Sequence, residues 1–178
     1  TQLEYTWLRS LMKRHKNFWD VTEDSLDKSM RVFNINKNLK NELLSLYKIL
    51  SPYPEVREVL ENLKKKNFKL AILSNGTPDL LNELVENNKL NNLFDDLFSI
   101  EEVKIYKPDP SVYELPVKKY RIKSAEITFL SANTWDVSGG GNFGYNSIWV
   151  NRHNSVFDIL DFQPKNEISN LTQLLDKV

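Results

Sequence analysis

The sequence predicts an α/β fold in which a parallel sheet is flanked by helices. From Glu55 onward, short apolar runs of strand length alternate with segments of helical periodicity. This alternation is typical of parallel strands that are joined by helical crossovers. The first 50 residues differ, because they contain helical patterns only. We therefore expect a helical subdomain at residues 1–50 and an α/β core domain at residues 55–178.

Three helices are expected in the N-terminal subdomain. Apolar side chains recur at helical spacing over residues 3–12, which predicts the first helix. Asp20, followed three positions later by Glu23, has the form of a capping box and predicts a second helix at about residues 23–33. A leucine-rich run predicts a third helix that ends near residue 49.

The sequence Ser51-Pro52-Tyr53-Pro54 marks the boundary between the two parts, since proline cannot continue a helix. A threonine followed by proline then marks a helix start, because the hydroxyl caps the first turn and proline suits its first position. The predicted elements of the core are a helix from about residue 55, a strand at 68–73, a helix opened by Thr77 and Pro78, a strand at 97–100, a helix from Pro110 to about Tyr120, a strand at 127–130, a helix after Trp135 and a strand at 147–150.

The composition excludes several classes of function. The 178 residues include 24 basic and 24 acidic side chains, so the formal charge is zero and neither nucleic acid nor an anionic membrane surface is expected as a partner. Cysteine is absent, which excludes disulfides, thiolate catalysis and cysteine-bound metal. No apolar run approaches the roughly 18 residues of a membrane span. These features are compatible with a cytoplasmic protein that acts on small molecules.

Polar side chains follow two of the predicted strands at the point where each strand ends. Ser74 and Asn75 come after the first strand, and Ser131, Asn133 and Asp136 come after the third. In parallel sheets of this class, ligands bind outside the carboxyl ends of the strands. A hydroxyl and an amide just before a helix N-terminus can also hold an anion. The sequence therefore predicts one site that contains all five residues.

Lys107 and Asp136 supply the charges expected in this site. Lys107 stands beside Pro108, and Pro110 follows, so fixed backbone angles would hold the ammonium group in a defined direction. A buried lysine favours an ionised acid next to it. The loop that contains Asp136 has no second acid, whereas Mg²⁺ requires several oxygen ligands and charge compensation. We therefore predict no catalytic metal and no cofactor.

Three strings, Leu73-Ser74-Asn75-Gly76, Tyr106-Lys107-Pro108-Asp109-Pro110 and Ser131-Ala132-Asn133-Thr134-Trp135-Asp136, occur in this order at domain-scale spacing. They resemble the later active-site motifs of the 2-haloacid dehalogenases, in the haloacid dehalogenase superfamily of hydrolases. The resemblance covers nearly the whole chain, since residues 2–9 are similar to the family's first cap helix and residues 112–115 to the helix after the lysine. It implies a Rossmann-like sheet of the haloacid dehalogenase fold, with residues 1–50 as a helical cap subdomain.

The family's first motif has no counterpart in this chain. That motif is an aspartate nucleophile on the first, central strand, and no aspartate here can be matched to it. By the resemblance, both the nucleophile strand and an arginine near the halide are expected upstream of Thr1. The activity of this chain alone is therefore in question, and the function below is expected of the intact protein.

The resemblance implies hydrolytic dehalogenation of small 2-haloacids to 2-hydroxy acids through an aspartyl-ester intermediate, in the manner of (S)-2-haloacid dehalogenases. The expected partners are a 2-halocarboxylic acid and water, and a homodimer is common in the family. Ser74 and Asn75 would bind the substrate carboxylate and approach the leaving halide. Lys107 would pair with the nucleophile, and Tyr113 would help to orient the acid.

The remaining site residues follow from the same resemblance. Ser131 and Asn133 would fix the nucleophile and the water, and Asp136 would help to activate that water. Three side chains match apolar positions that line the pocket around the carbon chain of the substrate, namely Leu3, Phe18 and Trp135.

Two alternatives remain open at the level of sequence. The first is a phosphatase of the same superfamily, which magnesium dependence would distinguish, because phosphatases of the superfamily usually carry paired acids where this chain has only Asp136. The second is a non-catalytic relative that keeps the pocket and binds a small carboxylate or a partner protein.

Overall fold

The computed structural model describes residues 1–177, and within them the chain forms two compact units. The first unit contains residues 1–52 and 71–106, and the second contains residues 53–70 and the chain from residue 107 onward. The helices are α1 (Gln2–Leu11), α2 (Phe18–Val32), α3 (Lys40–Ser45), α4 (Val56–Lys65), α5 (Pro78–Asn87), α6 (Pro110–Tyr120) and α7 (Thr134–Phe143). The strands are β1 (Ala71–Ser74), β2 (Asp96–Ser99), β3 (Thr128–Ser131), β4 (Asn146–Val150) and β5 (Asn166–Ile168).

The first unit combines α1, α2, α3 and α5 with a short parallel pair of strands. β1 and β2 are paired in register from Ala71 opposite Asp96 to Ser74 opposite Ser99. The turn after β1 is tied to β2, because the Ser99 hydroxyl donates to the carbonyl oxygen of Gly76 at 2.6 Å. This turn leads into α5, which begins with Pro78 after the N-cap Thr77, as the sequence predicts.

Two helix predictions in this unit are wrong in detail. The second helix begins at Phe18 rather than near Glu23, because the side chain of Asn17 accepts the backbone N–H of Asp20 at 2.9 Å and so caps the helix earlier. Asp20 therefore lies inside the first turn, where a carboxylate favours the positive end of the helix. The third helix is also shorter than expected, because the α-helical part ends at Ser45 and a 3₁₀ turn follows at Leu46–Lys48.

The second unit contains a three-stranded parallel sheet in the order β3-β4-β5. Successive side chains of β4 point to opposite faces of this sheet. Ile148 and Val150 belong to a buried cluster with Val59 and Leu63 of α4. On the other face, a Cβ added at Gly140 of α7 would lie 3.2 Å from the Ser147 hydroxyl. Helices thus cover both faces of β4, as expected for a buried parallel strand.

The predicted α/β class with parallel strands and flanking helices is confirmed, and all strand pairings within residues 1–177 are parallel. β5 is absent from the sequence prediction because Asn166-Glu167-Ile168 contains a single apolar residue and is shorter than the runs that identify strands. β1 is shifted to Ala71–Ser74 from the expected residues 68–73. The division into residues 1–50 and 55–178 stays a prediction.

No helix in the described part of the chain is long and apolar enough to cross a membrane.

Candidate active site

A buried cluster of three polar side chains lies in the second unit. The ammonium nitrogen of Lys107 donates to Oδ2 of Asp136 at 3.2 Å, and the hydroxyl of Tyr113 donates to Oδ1 of the same carboxylate at 2.8 Å. Lys107 and Asp136 are each only 5% exposed, and Tyr113 is fully buried. Both oxygens of Asp136 therefore have a fixed donor, which holds the carboxylate in one orientation.

The three side chains of the cluster lie near the N-terminal ends of two helices, α6 and α7. Lys107 directly precedes the segment that leads into α6, which begins at Pro110 after the N-cap Asp109. Tyr113 lies one turn into that helix, and Asp136 lies in the first turn of α7, where the positive end of the helix favours a carboxylate. The three side chains therefore come from the starts of two helices that pack against each other.

Burial controls the protonation of the two donors. Removal from water lowers the pKa of the Lys107 ammonium, and the nearby Asp136 carboxylate acts in the opposite direction. Burial also raises the pKa of the Tyr113 hydroxyl, and the charge of Asp136 and the hydrogen bond to it raise this pKa further. Tyr113 thus remains a hydrogen-bond donor throughout the neutral pH range.

Aromatic rings form the walls of this cluster. The Lys107 nitrogen lies 5.1 Å from the centre of the Phe129 ring and 5.8 Å from that of Tyr113. Tyr113 also packs edge-on against Phe129 and Tyr145, at centroid distances of 5.8 and 5.9 Å. Ring faces attract a cation, so these contacts offset part of the cost of burying the ammonium group.

Sequence reasoning missed two residues that support the cluster. A Cβ at Gly139 would lie 2.5 Å from the Tyr113 hydroxyl oxygen and 2.8 Å from Cβ of Pro108, so only glycine leaves room for both. The Tyr145 hydroxyl donates to the backbone carbonyl of Tyr113. A usable signal was present for the first of these, because the run Gly139-Gly140-Gly141 inside a helix is unfavourable unless another group approaches closely.

Three other predicted residues lie on the loop between β3 and α7. Ser131 ends β3, and its hydroxyl accepts the backbone N–H of Asn133 at 3.2 Å. Asn133 is the exposed N-cap residue of α7, and Trp135 is half-buried in the first turn. Ser131, Asn133 and Trp135 therefore share one short segment with Asp136, as the sequence predicts, and their roles in a site stay predictions.

The four remaining predicted residues belong to the first unit. Ser74 ends β1, and its hydroxyl accepts the backbone N–H of Gly76 at 3.0 Å, which shapes the turn that also contains Asn75. Leu3 lies in α1 and Phe18 begins α2, and both are half-buried. Their assignment to the substrate pocket also stays a prediction.

In the part of the chain that the structure describes, no three His, Cys, Asp or Glu side chains are grouped so that they could hold a metal ion. The cluster itself contains one carboxylate, one ammonium and one phenol. A cation beside Lys107 would meet a like charge.

Comparison with known proteins places the chain in a family. A model of the haloacid dehalogenase-like hydrolases matches residues 9–150, which is most of the chain. The chain belongs to this family.

Within the family, the sequence is 38% identical over 176 residues to (S)-2-haloacid dehalogenase 4A of Burkholderia cepacia, a match that covers 97% of this chain and 76% of that protein. A crystal structure of a dehalogenase is similar with a TM-score of 0.96 and 35% identity, covering 99% of this chain and 79% of that one. The L-2-haloacid dehalogenase of Xanthobacter autotrophicus, determined with chloropropionic acid covalently bound, has a TM-score of 0.90 at 30% identity, covering 97% and 80%.

Proposed function

We propose that the intact protein is an (S)-2-haloacid dehalogenase that hydrolyses small 2-haloacids to 2-hydroxy acids through an aspartyl ester. The observation that carries this proposal is the buried Lys107–Asp136–Tyr113 cluster, which combines a lone carboxylate with a cation in a chain 38% identical to an (S)-2-haloacid dehalogenase. Covalent capture of chloropropionic acid by a related L-2-haloacid dehalogenase supports an ester intermediate.

In the first step, the nucleophile's carboxylate attacks C2 of the substrate and halide leaves with the electron pair of the carbon–halogen bond. The new bond is an ester between that carboxylate and C2. We assign Lys107 to the nucleophile, because an ammonium group about 4 Å from a carboxylate favours its ionised form by several kcal/mol where water is largely excluded. Ser74 and Asn75 are proposed to bind the carboxylate of the substrate.

In the second step, water attacks the carbonyl carbon of the ester, the ester C–O bond breaks and the 2-hydroxy acid leaves. One proton of the water passes to a base, for which we propose Asp136, while Ser131 and Asn133 orient the water. The second proton passes from the regenerated carboxyl group to the oxygen that leaves with the 2-hydroxy acid. The carboxylate of Asp136 suits this role because Lys107 and Tyr113 hold both of its oxygens in place. Leu3, Phe18 and Trp135 are proposed to surround the carbon chain of the substrate, since displacement is favoured by a dry pocket.

Metal independence is part of this proposal. Mg²⁺ requires oxygen ligands and charge compensation, whereas the carboxylate of Asp136 is already engaged by a cation and a phenol. A cytoplasmic location and a homodimer are also proposed. The homodimer is supported by exposed apolar side chains at the ends of α1 and α2, since Leu11 is 80% exposed and Phe33 is 73% exposed.

The test is halide release from each enantiomer of 2-chloropropionate, with and without a chelator. It compares this chain with the product of the complete coding sequence, because no aspartate of this chain can be matched to the nucleophile. We expect chelator-insensitive chloride release from one enantiomer by the complete protein. We expect its loss in Lys107→Met, which keeps an unbranched side chain one atom shorter and removes the charge. Release that requires Mg²⁺, or hydrolysis of phosphorylated acids instead, would overturn the proposal.

A further inference from the structure

A hydrogen bond between two side chains of the first unit joins the loop after α1 to the 3₁₀ turn after β2. Nε2 of His15 lies 2.9 Å from Oε2 of Glu101, and the two side chains are 20% and 21% exposed. The other polar atom of each side chain, Nδ1 of His15 and Oε1 of Glu101, is buried without a hydrogen-bond partner among the described residues. Loss of this contact would leave both polar atoms of each side chain without a hydrogen-bond partner among the described residues, which is costly.

Tyr106 is held by the same loop. Its ring lies against that of His15 with a centroid distance of 5.6 Å, and its hydroxyl donates to the carbonyl oxygen of Lys16 at 2.7 Å. Its backbone N–H donates to the hydroxyl of Ser10 at 3.1 Å. Side chain and backbone of Tyr106 are both fixed, and the residue is only 1% exposed.

Tyr106 is also the last residue of the first unit, and Lys107 is the first residue of the following stretch of the second. A single peptide bond therefore transmits the placement of Tyr106 to the lysine. A shift of the Tyr106 backbone would move the start of the Lys107 side chain, whose ammonium nitrogen must stay within hydrogen-bond distance of Asp136.

We propose that His15 and Glu101 are positioning residues for Lys107, which act through Tyr106. The hydrogen bond between His15 and Glu101 anchors the turn at Ile100–Glu102 to the loop after α1, and the ring of His15 packs against that of Tyr106. The effect of His15 and Glu101 on turnover rests on the proposed function. Their effect on the environment of Lys107 is independent of that function.

The main experiment measures acylation of Lys107. The complete protein is treated with acetic anhydride, and mass spectrometry gives the rate at Lys107 relative to that at the exposed Lys104 in the same sample. The variants are His15→Ala, which removes both contacts, His15→Phe, which keeps a ring against Tyr106, and His15→Gln, which keeps an N–H for Glu101.

We expect His15→Ala to raise the relative acylation rate of Lys107 by about tenfold, as for the loss of one buried charged hydrogen bond. His15→Gln and His15→Phe should each restore part of the difference. Glu102→Gln removes the same charge from an exposed position of the same turn and should leave the rate unchanged. Val59→Ala, which weakens the core of the second unit directly, is the control for global loosening.

Turnover is the second readout. In His15→Ala, kcat for halide release should fall about tenfold while KM changes less than twofold, because the residues assigned to the substrate are untouched. Equal acylation rates in the parent and His15→Ala would overturn the positioning role, as would an equal rise in Val59→Ala. A changed acylation rate in a protein that releases no halide would instead retain the positioning role and reject the proposed function.

Discussion

Two donors on one carboxylate define the chemistry of Asp136. Tyr113 donates a neutral O–H to Oδ1, and Lys107 donates a charged N–H to Oδ2. Because burial keeps the phenol protonated, Lys107 is the one of these two donors that loses its proton first as the pH rises. The charge state of Lys107 is therefore the variable that a pH profile can report.

The alkaline limb of the activity profile should lie below pH 10.5, the ordinary pKa of lysine. Burial lowers the pKa of Lys107, so the ammonium loses its proton, and its charge, at a lower pH than an exposed lysine would. In Lys107→Arg the limb should disappear, because guanidinium stays charged throughout this range. The measurement is kcat for 2-chloropropionate between pH 7 and about 10.5.

Asp136→Asn checks the sign of this effect. The carboxylate raises the pKa of Lys107, so its neutralisation should move the limb to still lower pH. In this variant the limb is measured on the burst of halide that ester formation releases, since that step does not require the base proposed for the second step. A limb that stays at the same pH in Lys107→Arg would assign it to another group.

At the scale of elements, α7 is adapted to a close contact rather than to helical stability. Its glycines lower helix propensity, and the helix makes room for three aromatic rings instead. Added Cβ atoms at Gly139, Gly140 and Gly141 would clash with Tyr113, Phe129 and Phe162 respectively.

Gly139→Ala should lower both stability and activity. The new Cβ would require a displacement of Tyr113 or Pro108, which we expect to reduce the free energy of unfolding by about 1–3 kcal/mol. The same displacement should lower kcat by weakening the hydrogen bond from Tyr113 to Asp136. Chemical denaturation and halide release measure the two effects. Asn142→Ala, at an exposed position of the same helix, should change neither and is the matched control.

Sequence patterns were most informative where an element has a strong apolar run or a defined helix start. The start of α5 at Pro78 and that of α6 at Pro110 were readable because proline follows a capping side chain. The start of α2 was not, since Asn17 and Asp20 are both good caps and only tertiary packing selects between them. The polar strand β5 gave no pattern at all.

Part of the candidate site could be predicted from the sequence, because some of its residues lie in recognisable motifs. Lys107 and Asp136 were predicted as the two charges of one site, with Lys107 paired to the nucleophile. The structure brings the two side chains into contact with each other, which was not predicted. The supporting contacts of Tyr145 and Gly139 were not predicted, because they depend on how α6 and α7 pack, which no local pattern records.

At the scale of the whole molecule, an ion pair joins the two separate stretches of the second unit. Nη2 of Arg152 lies 2.6 Å from Oε1 of Glu55, and the guanidinium lies 3.7 Å from the centre of the Tyr53 ring. The backbone N–H of Leu171 donates to the same carboxylate oxygen. Glu55 thus connects the start of α4 to two later parts of the chain.

This ion pair should make the free energy of unfolding depend on pH in the acidic range. Burial acts to raise the pKa of Glu55. Hydrogen bonds from backbone N–H groups and from Arg152, together with the charge of Arg152, act in the opposite direction and outweigh burial. The pKa of Glu55 therefore lies below the ordinary 4.5. Its stabilising contribution is therefore complete above pH 4.5 and is lost as the pH falls through the lowered value.

The measurement is the free energy of unfolding of the parent protein and of Glu55→Gln as a function of pH. We expect a difference on the order of 1 kcal/mol at neutral pH, since both side chains are partly exposed. The difference should shrink as the pH falls below 4.5. A difference that is constant down to pH 3 would show that the charge of Glu55 does not contribute.

The interleaving of the two units along the chain also determines the order in which a newly made protein can fold. Val59 and Leu63 leave the ribosome about 85 residues or more before their buried neighbours Ile148 and Ile168. The apolar face of α4 therefore lacks these neighbours while residues 71–106 of the first unit are translated. The order of translation thus delays burial of this face against β4 and β5 until those strands have been made.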